Sequence, residues 1–330
     1  MSSTAIDAPA ADRFLSGPWP RFLGRRLLRL VVSLWVLVTF SFLIVHLVPG
    51  DPVRAALGSR ASATSVAEWN ARLGLNDPLL TQYADYVSGL FQGRLGESLQ
   101  LRLPVDQVIS ERLPNTLQLV ALAFLLCVLV AVPLGALLAI RTQNGRHRGS
   151  ELGFTAGAVV LTTIPDFCLA VGLVALLGVS LELLPVAGDS GTSSLVIPVL
   201  ALAVGPAAAL ARIVRVEMLG VLGQDYVRTA RAKRLPPRRV YLRHALPNAL
   251  TATLTVGGLI LTSLIAGTVL VENVIAWPGL GPTLVRSIIA KDYPMVQGIV
   301  LVYGTLVLLV NLLVDVALAL VDPRSTVRES

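Results

Sequence analysis

Gln224-Asp-Tyr-Val-Arg-Thr-Ala-Arg-Ala-Lys-Arg-Leu-Pro-Pro-Arg-Arg-Val-Tyr-Leu-Arg-His-Ala-Leu-Pro-Asn248 is a densely basic segment set between long apolar runs. Residues 225–233 are good helix formers, with Tyr226, Val227, Ala230 and Lys233 spaced along one face. Pro236-Pro237 stops that helix, because proline lacks an amide donor and drives the residue before it out of the helical region. Pro237 also suits the first turn of a second helix. That helix carries Val240, Tyr241 and His244 before Leu246-Pro247 turns the chain back toward the next apolar run. A short helix with apolar anchors inside a basic rim suits insertion into a groove on a soluble partner. Charge alone would serve as well to fix topology and touch anionic lipid. The helix–Pro-Pro–helix layout favours docking.

The flanking sequence is that of a membrane protein. Hydrophobic residues make up 54% of the 330, charged residues 14%, and mean hydropathy is +0.73. A soluble domain is nearer about 25% charged. Apolar windows long enough to cross the hydrocarbon core fall near 28–48, 116–140, 152–179, 195–213, 250–271 and 297–321. The expected fold class is an all-α membrane protein with six transmembrane helices. The third window exceeds the minimum and can tilt. Of the 27 Lys and Arg, 19 lie before the first window or at its start (Arg29), after the second, at the end of the fourth (Arg212) or between it and the fifth, or after the sixth. The positive-inside rule makes that side cytoplasmic, so both termini, 1–24 and 322–330, are cytoplasmic tails around a membrane domain 25–321. Segment 49–115 is then an external loop and 214–249 a cytoplasmic one. The first window is too long for a signal-peptide core, no small-x-small cleavage site follows, and it reads as a retained anchor. This charge distribution, rather than the net +7, decides against nucleic acid.

No constellation for chemistry emerges. Cys127 and Cys168 sit in apolar runs and read as small buried hydrophobes. His46, His147 and His244 are scattered, so no metal site is expected; His46 reads as interfacial, near the outer end of the first window. No phosphate-cradling G-x-x-x-x-G-K-[ST] is present and no catalytic grouping is expected. Asp166 follows Pro165 inside the third window, where an ionised carboxylate costs about 2.5–3.5 kcal/mol. Two readings stand: it lines a translocation path and meets a cationic group such as a peptide amino terminus, or it hydrogen-bonds between helices. Asn311 and Asp315 share one helix face and favour interhelical bonding over cargo contact. In the external loop, residues 79–90 fit a short amphipathic helix carrying Tyr83 and Tyr86. Trp277-Pro-Gly-Leu-Gly281 fits a turn with an interfacial aromatic. Tyr83, Tyr86 and Trp277 are candidates to receive an external partner; a rigid cap is the other reading.

The basic segment resembles the coupling loop of bacterial ABC-importer permeases. Arg228-Thr229-Ala230 stands at the family's Glu-Ala-Ala triplet, Arg234 at its glycine, and His244-Ala245-Leu246-Pro247 at its closing Ile-x-Leu-Pro. Further fragments follow in family order: Val48-Pro-Gly-Asp-Pro-Val53, Gly93-Arg-Leu-Gly-Glu-Ser98, Glu111-Arg-Leu-Pro-Asn-Thr116, Glu272, Trp277-Pro-Gly-Leu-Gly281, Asp292-Tyr-Pro294 and Asp322-Pro-Arg324. Together they are similar to the B-type subunit of the dipeptide/oligopeptide (nickel) permease family. The resemblance implies a type I importer fold in the bacterial inner membrane, importing peptides and pairing with a homologous second permease. It implies two ATPase subunits, or one two-domain ATPase, that bind ATP and Mg, and an extracytoplasmic substrate-binding protein. It assigns ATPase coupling to Asp225, Tyr226, Arg228, Thr229, Ala230, Arg231, Lys233, Arg234, Val240, His244, Leu246 and Pro247. At Arg234 the chain departs from the family, and Pro236-Pro237 is expected to make the turn instead. Related permeases also carry nickel chelates or glutathione-like peptides. A membrane-embedded transferase lacks its acid, base or metal cluster here. An ion-coupled secondary transporter has only Pro165-Asp166 in its favour.

Overall fold

The computed structural model describes residues 19–47, 53–54, 62–72 and 74–321. Among them the chain is helical throughout, apart from turns and an isolated bridge between Glu97 and Pro104. Helix α1 (Trp19–Leu47) leads to two short helices, α2 (Ala63–Arg72) and α3 (Leu79–Phe91). The long α4 (Val105–Thr142) follows, then α5 (Arg148–Thr163) and α6 (Asp166–Leu173), the last continued by a π-helical stretch, Val174–Ser180. Next come α7 (Val196–Leu222) and the basic segment, α8 (Asp225–Ala232) and α9 (Pro237–Arg239). The chain closes with α10 (Leu246–Val274), α11 (Leu280–Ile289) and α12 (Tyr293–Val321).

Among the described residues, five helices are long and apolar enough to span a membrane, and α5 and α6, together long and apolar enough for one more, are bent by 94° at the break between them. The third window is therefore two helices joined at a bend rather than one tilted helix. The cause is local: Ile164, preceding Pro165, is extended at φ −75°, ψ 120°, as the proline ring demands of its neighbour. At about 1.5 Å per residue, the 38 residues of α4 exceed the hydrocarbon thickness. The helix is thus longer than a span needs, and its first turns pack with α11 and α12 around Val105, Ile109 and Leu280.

The core lies where α4, α7 and α10 meet, around Leu119, Leu202 and Leu264, all essentially inaccessible. Small residues bring α4 and α7 together: a Cβ on Gly135 would lie 2.5 Å from the Ala211 carbonyl oxygen and 2.7 Å from Val214 Cβ. Such backbone contact is how membrane helices associate when apolar burial offers little advantage over lipid. Cys127 is buried in this core, whereas Cys168 is exposed on α6, against expectation. It sits on a helix whose outer face, with Phe167 and Val171, is uncovered. His46 lies in α1, and its side chain is outside the described residues.

Two carboxylates hold the segments before α4 and before α11 to the bundle. Asp292 accepts bonds from the Ser98 hydroxyl and from the Leu99 (3.1 Å) and Gln100 (3.3 Å) amides, pinning the loop before α4 to the α11–α12 turn. Glu272, wholly buried, accepts the Gly281 amide at 2.7 Å. Thr116 takes the Leu280 amide at 2.9 Å, and Asn115 Nδ2 reaches the Pro278 carbonyl at 3.0 Å. The Pro-Gly-Leu-Gly stretch is thus tied to α4 and α10 through its backbone. Glycine is required at 281, where a Cβ would meet the Val269 carbonyl at 2.7 Å.

Candidate coupling surface and membrane path

Helix α8 is eight residues long, and its ends explain its sequence. Asp225 stands in the first turn and Arg231 in the last, each complementing the helix dipole. The helix ends in a Schellman motif: the Arg234 amide bonds the Arg231 carbonyl at 2.9 Å, and the Leu235 amide reaches the Ala230 carbonyl at 3.4 Å. That motif needs a left-handed residue, and Arg234 supplies it at φ 52°. Pro236-Pro237 therefore does not make this turn; Arg234 itself takes the left-handed conformation that glycine favours. Leu235 then packs with Val227 and Ala230, the apolar contact that accompanies such a cap.

The apolar side of this segment faces its own protein. Val227, Ala230, Val240 and Ala245 are buried against Met218 and Leu222 of α7 and Ala139 of α4. Val240 and Ala230 are thus corrected from partner-facing anchors to the adhesive that holds the segment to the bundle. So short a helix is stable only by packing, and these are its apolar residues. Exposed instead are Tyr226, Arg228, Thr229, Arg231, Lys233 and Arg234, with Asp225 beside Arg228 at 3.5 Å. His244 and Leu246 are half-buried, and Pro247 is exposed.

The second expectation for this segment, a turn at Leu246-Pro247, is also corrected. Helix runs without interruption over 237–274, passing through a π turn at Val240–Ala245. Pro247 has no amide to return to the preceding turn. The wider π register absorbs that loss, and Asn248 Nδ2 caps the His244 carbonyl at 2.7 Å. Pro237 does start the second helix, at its first turn.

In the membrane, Asp166 opens α6 directly after the bend and is half-buried. Its carboxylate lies against glycines on two other helices. A Cβ on Gly267 would stand 3.3 Å from Oδ2, and one on Gly205 3.7 Å from Oδ1. Among the described residues no cation pairs with it. Asn311 and Asp315 are already engaged between helices. Thr262 Oγ1 donates to Asn311 at 3.0 Å, and Arg26 of α1 pairs with Asp315 at 2.6 Å.

The external candidates separate. Tyr83 and Tyr86 lie on α3, which covers the expected helix, and turn toward α1. Tyr83 shares a 2.8 Å hydrogen bond with Thr39 and meets the Phe42 ring edge-on at 5.2 Å. The Tyr86 hydroxyl donates to Ser41 at 3.4 Å, and burial raises its pKa, partly offset by that bond. Trp277 is 2% exposed, with its indole N–H 3.3 Å from the Asn115 carbonyl. The interfacial reading of Trp277 is therefore corrected: it is a core residue.

Several structural residues escaped the sequence reading. Arg215 of α7 is buried, bonds Thr142 Oγ1 at 3.0 Å and pairs with Glu151 at 2.8 Å. Its placement at the basic end of an apolar run was the available signal; its partners lie far off in sequence. Among the described residues no group of His, Cys, Asp or Glu is placed to hold a metal.

Known families match nearly all of this frame. Residues 131–327 match the family described as binding-protein-dependent transport system inner membrane component, and residues 20–120 match its N-terminal counterpart. The chain belongs to this family. It is 37% identical to the dipeptide transport system permease protein DppB of Escherichia coli K12, over 92% of this chain and 98% of that protein. It is 34% identical to the oligopeptide transport system permease protein AppB of Bacillus subtilis 168, over 92% and 98% respectively. Among solved structures, an inward-facing MetNI methionine ABC transporter superposes with a TM-score of 0.53 at 19% identity. That match covers 66% of this chain and 97% of the other. The family is a multi-pass inner-membrane component of ABC importers, and the fold is the all-α type I permease fold. Members work with ATPase and substrate-binding partners and a second permease. The resemblance read from the coupling segment stands.

Proposed function

We propose that this chain forms one half of the translocation path of an ATP-driven, binding-protein-dependent importer of di- and oligopeptides. The observation that carries the reading is the exposed Tyr226–Arg234 face of α8, held by Val227, Ala230 and Val240 to the ends of α4 and α7. A rigid basic knob backed by its own core can take force from a soluble partner and pass it to the bundle. The partners are a homologous permease, two ATPase subunits or one two-domain ATPase, and an extracytoplasmic binding protein. ATP and magnesium belong to the ATPases. Both termini are cytoplasmic, and the cargo class follows from the relatives' names. ATP-driven closure of the ATPases moves the two coupling segments together and biases the bundle from inward-facing to outward-facing. Asp166, lodged between Gly205 and Gly267 with no cation paired to it among the described residues, meets the ammonium end of a peptide as the path opens.

The test is uptake into proteoliposomes holding the complete complex, with labelled dipeptide, a nickel chelate and glutathione as competing cargoes. Uptake of the dipeptide is expected to require ATP and to survive collapse of the proton gradient. Uptake that persisted without ATP and stopped with the gradient would overturn the proposal. Asp166→Asn is expected to slow peptides with a free amino terminus more than N-acetylated ones; equal effects would remove the contact.

A further inference from the structure

From the contacts at the cytoplasmic end, we infer that Gln143 is a positioning residue that couples α8 to the bent helix pair α5–α6. The inference rests on α8 being the ATPase-docking element. The turn between α4 and α5 is tightly built. Asn144, Gly145 and His147 all have positive φ (58°, 75° and 53°), an arrangement that non-glycine residues resist and that surrounding contacts must enforce. His147 Nδ1 lies 3.1 Å from the Arg141 carbonyl, and the Ser150 amide closes onto the His147 carbonyl at 2.9 Å.

Two adjacent residues at the head of this turn face different neighbours. Thr142 donates to the Leu138 carbonyl at 2.7 Å and accepts from Arg215 Nε and Nη2 at 3.2 and 3.0 Å. Arg215 also holds Glu151 in the first turn of α5, so α4, α5 and α7 are clamped at one point. Gln143 faces the basic segment. Its Oε1 accepts from Arg231 Nη2 of α8 at 3.1 Å, and its Nε2 donates to the Tyr241 hydroxyl in the π turn at 3.4 Å.

Covalently, α8 is attached to α7 on one side and to the α9–α10 helix on the other. Neither runs on in sequence into α5, which leads to the bend and to Asp166 at the start of α6; α7 reaches α5 through packing and the Arg215–Glu151 pair. Gln143 adds a tie straight from α8 to the α4–α5 turn, because its amide is read from both ends and is joined through the backbone to the Arg215 clamp at Thr142. Its orientation is fixed by chemistry: reversal would set N–H groups against the Arg231 guanidinium. A displacement of α8 therefore pulls the α4–α5 turn with it.

The experiment uses the complete complex in proteoliposomes and reads cargo imported per ATP hydrolysed. A parallel cross-link from Tyr226→Cys in otherwise wild-type protein reports whether an ATPase subunit sits on α8. Gln143→Leu removes both bonds from a side chain that borders the docking face at Arg231 and leaves every exposed docking residue in place. Its complex is expected to retain its ATPases and hydrolyse ATP at near the normal rate, while cargo per ATP falls about threefold or more, the scale of one or two hydrogen bonds. Gln143→Glu keeps the acceptor for Arg231 and is expected to recover most of the ratio. Tyr241→Phe, which spares the Arg231 bond, is expected to lose less than Gln143→Leu. An unchanged ratio in Gln143→Leu with the cross-link intact would overturn this inference alone. Absence of the cross-link would overturn the docking reading and this inference with it. Should Gln143→Leu fail to assemble, equal ratios in wild type, Gln143→Glu and Tyr241→Phe would overturn the inference.

Discussion

Arg234 offers a sharp quantitative test of the coupling segment. Its φ of 52° closes the Schellman cap of α8. A non-glycine residue held in the left-handed region costs about 1–2 kcal/mol. Glycine removes that cost but adds about 0.5–1 kcal/mol of unfolded-state freedom. Arg234→Gly is therefore expected to stabilise the segment by a net ~0.5–1 kcal/mol. The exposed guanidinium makes no described bond that the change would sacrifice. Local opening should become roughly two- to fivefold rarer, since ~1.4 kcal/mol is tenfold at room temperature. The assay is amide hydrogen exchange on a peptide covering 230–240, where the Leu235 amide is bonded to the Ala230 carbonyl. Arg234→Asn should fall between, and Arg234→Val should open more often than wild type, because a β-branched residue tolerates this region worst. Faster exchange in Arg234→Gly than in wild type, or no ordering of the three variants, would refute the cap argument.

Two further substitutions probe the frame. Gly135→Ala should destabilise the protein by about 1–3 kcal/mol in thermal unfolding, the usual range for overpacking, because its methyl group would meet the Ala211 carbonyl; Gly153→Ala, with nothing within 4 Å of the added atom, is the control expected to change little. Glu272→Ala should cost about 1–3 kcal/mol for the orphaned Gly281 amide alone and speed proteolysis near residues 277–281, whereas Glu272→Gln keeps an acceptor and should lose much less.

Hydropathy alone placed five of the six windows on long apolar helices, since a helix meant to span lipid must be apolar along its whole length. The bend at Ile164-Pro165 was half legible: proline marks the break, but its 94° angle depends on how α5 and α6 pack on α7. The basic segment shows the limit more clearly. Periodicity identifies Val227 and Ala230 as one face, yet a period does not say whether that face meets a partner or the parent bundle. Val240 went wrong for the same reason. Trp277 went wrong because an amphipathic ring near a membrane end fits either an interface or a core, and only packing around Asn115 decides. The departure at Arg234 was visible as a residue change, but its left-handed backbone was not. The Arg215–Glu151–Thr142 clamp joins residues from three helices, and nothing local to any of them announces the others.

The central claim is that the exposed face of α8 docks an ATPase while its buried face holds the bundle. Cysteines placed singly at Tyr226 and Val240, 42% and 2% exposed, and treated with a short cross-linker in the active complex, test it most directly. Capture of an ATPase subunit from position 226, with none from position 240, is the expected result. No ATPase captured from 226 in a complex that still imports cargo would contradict it.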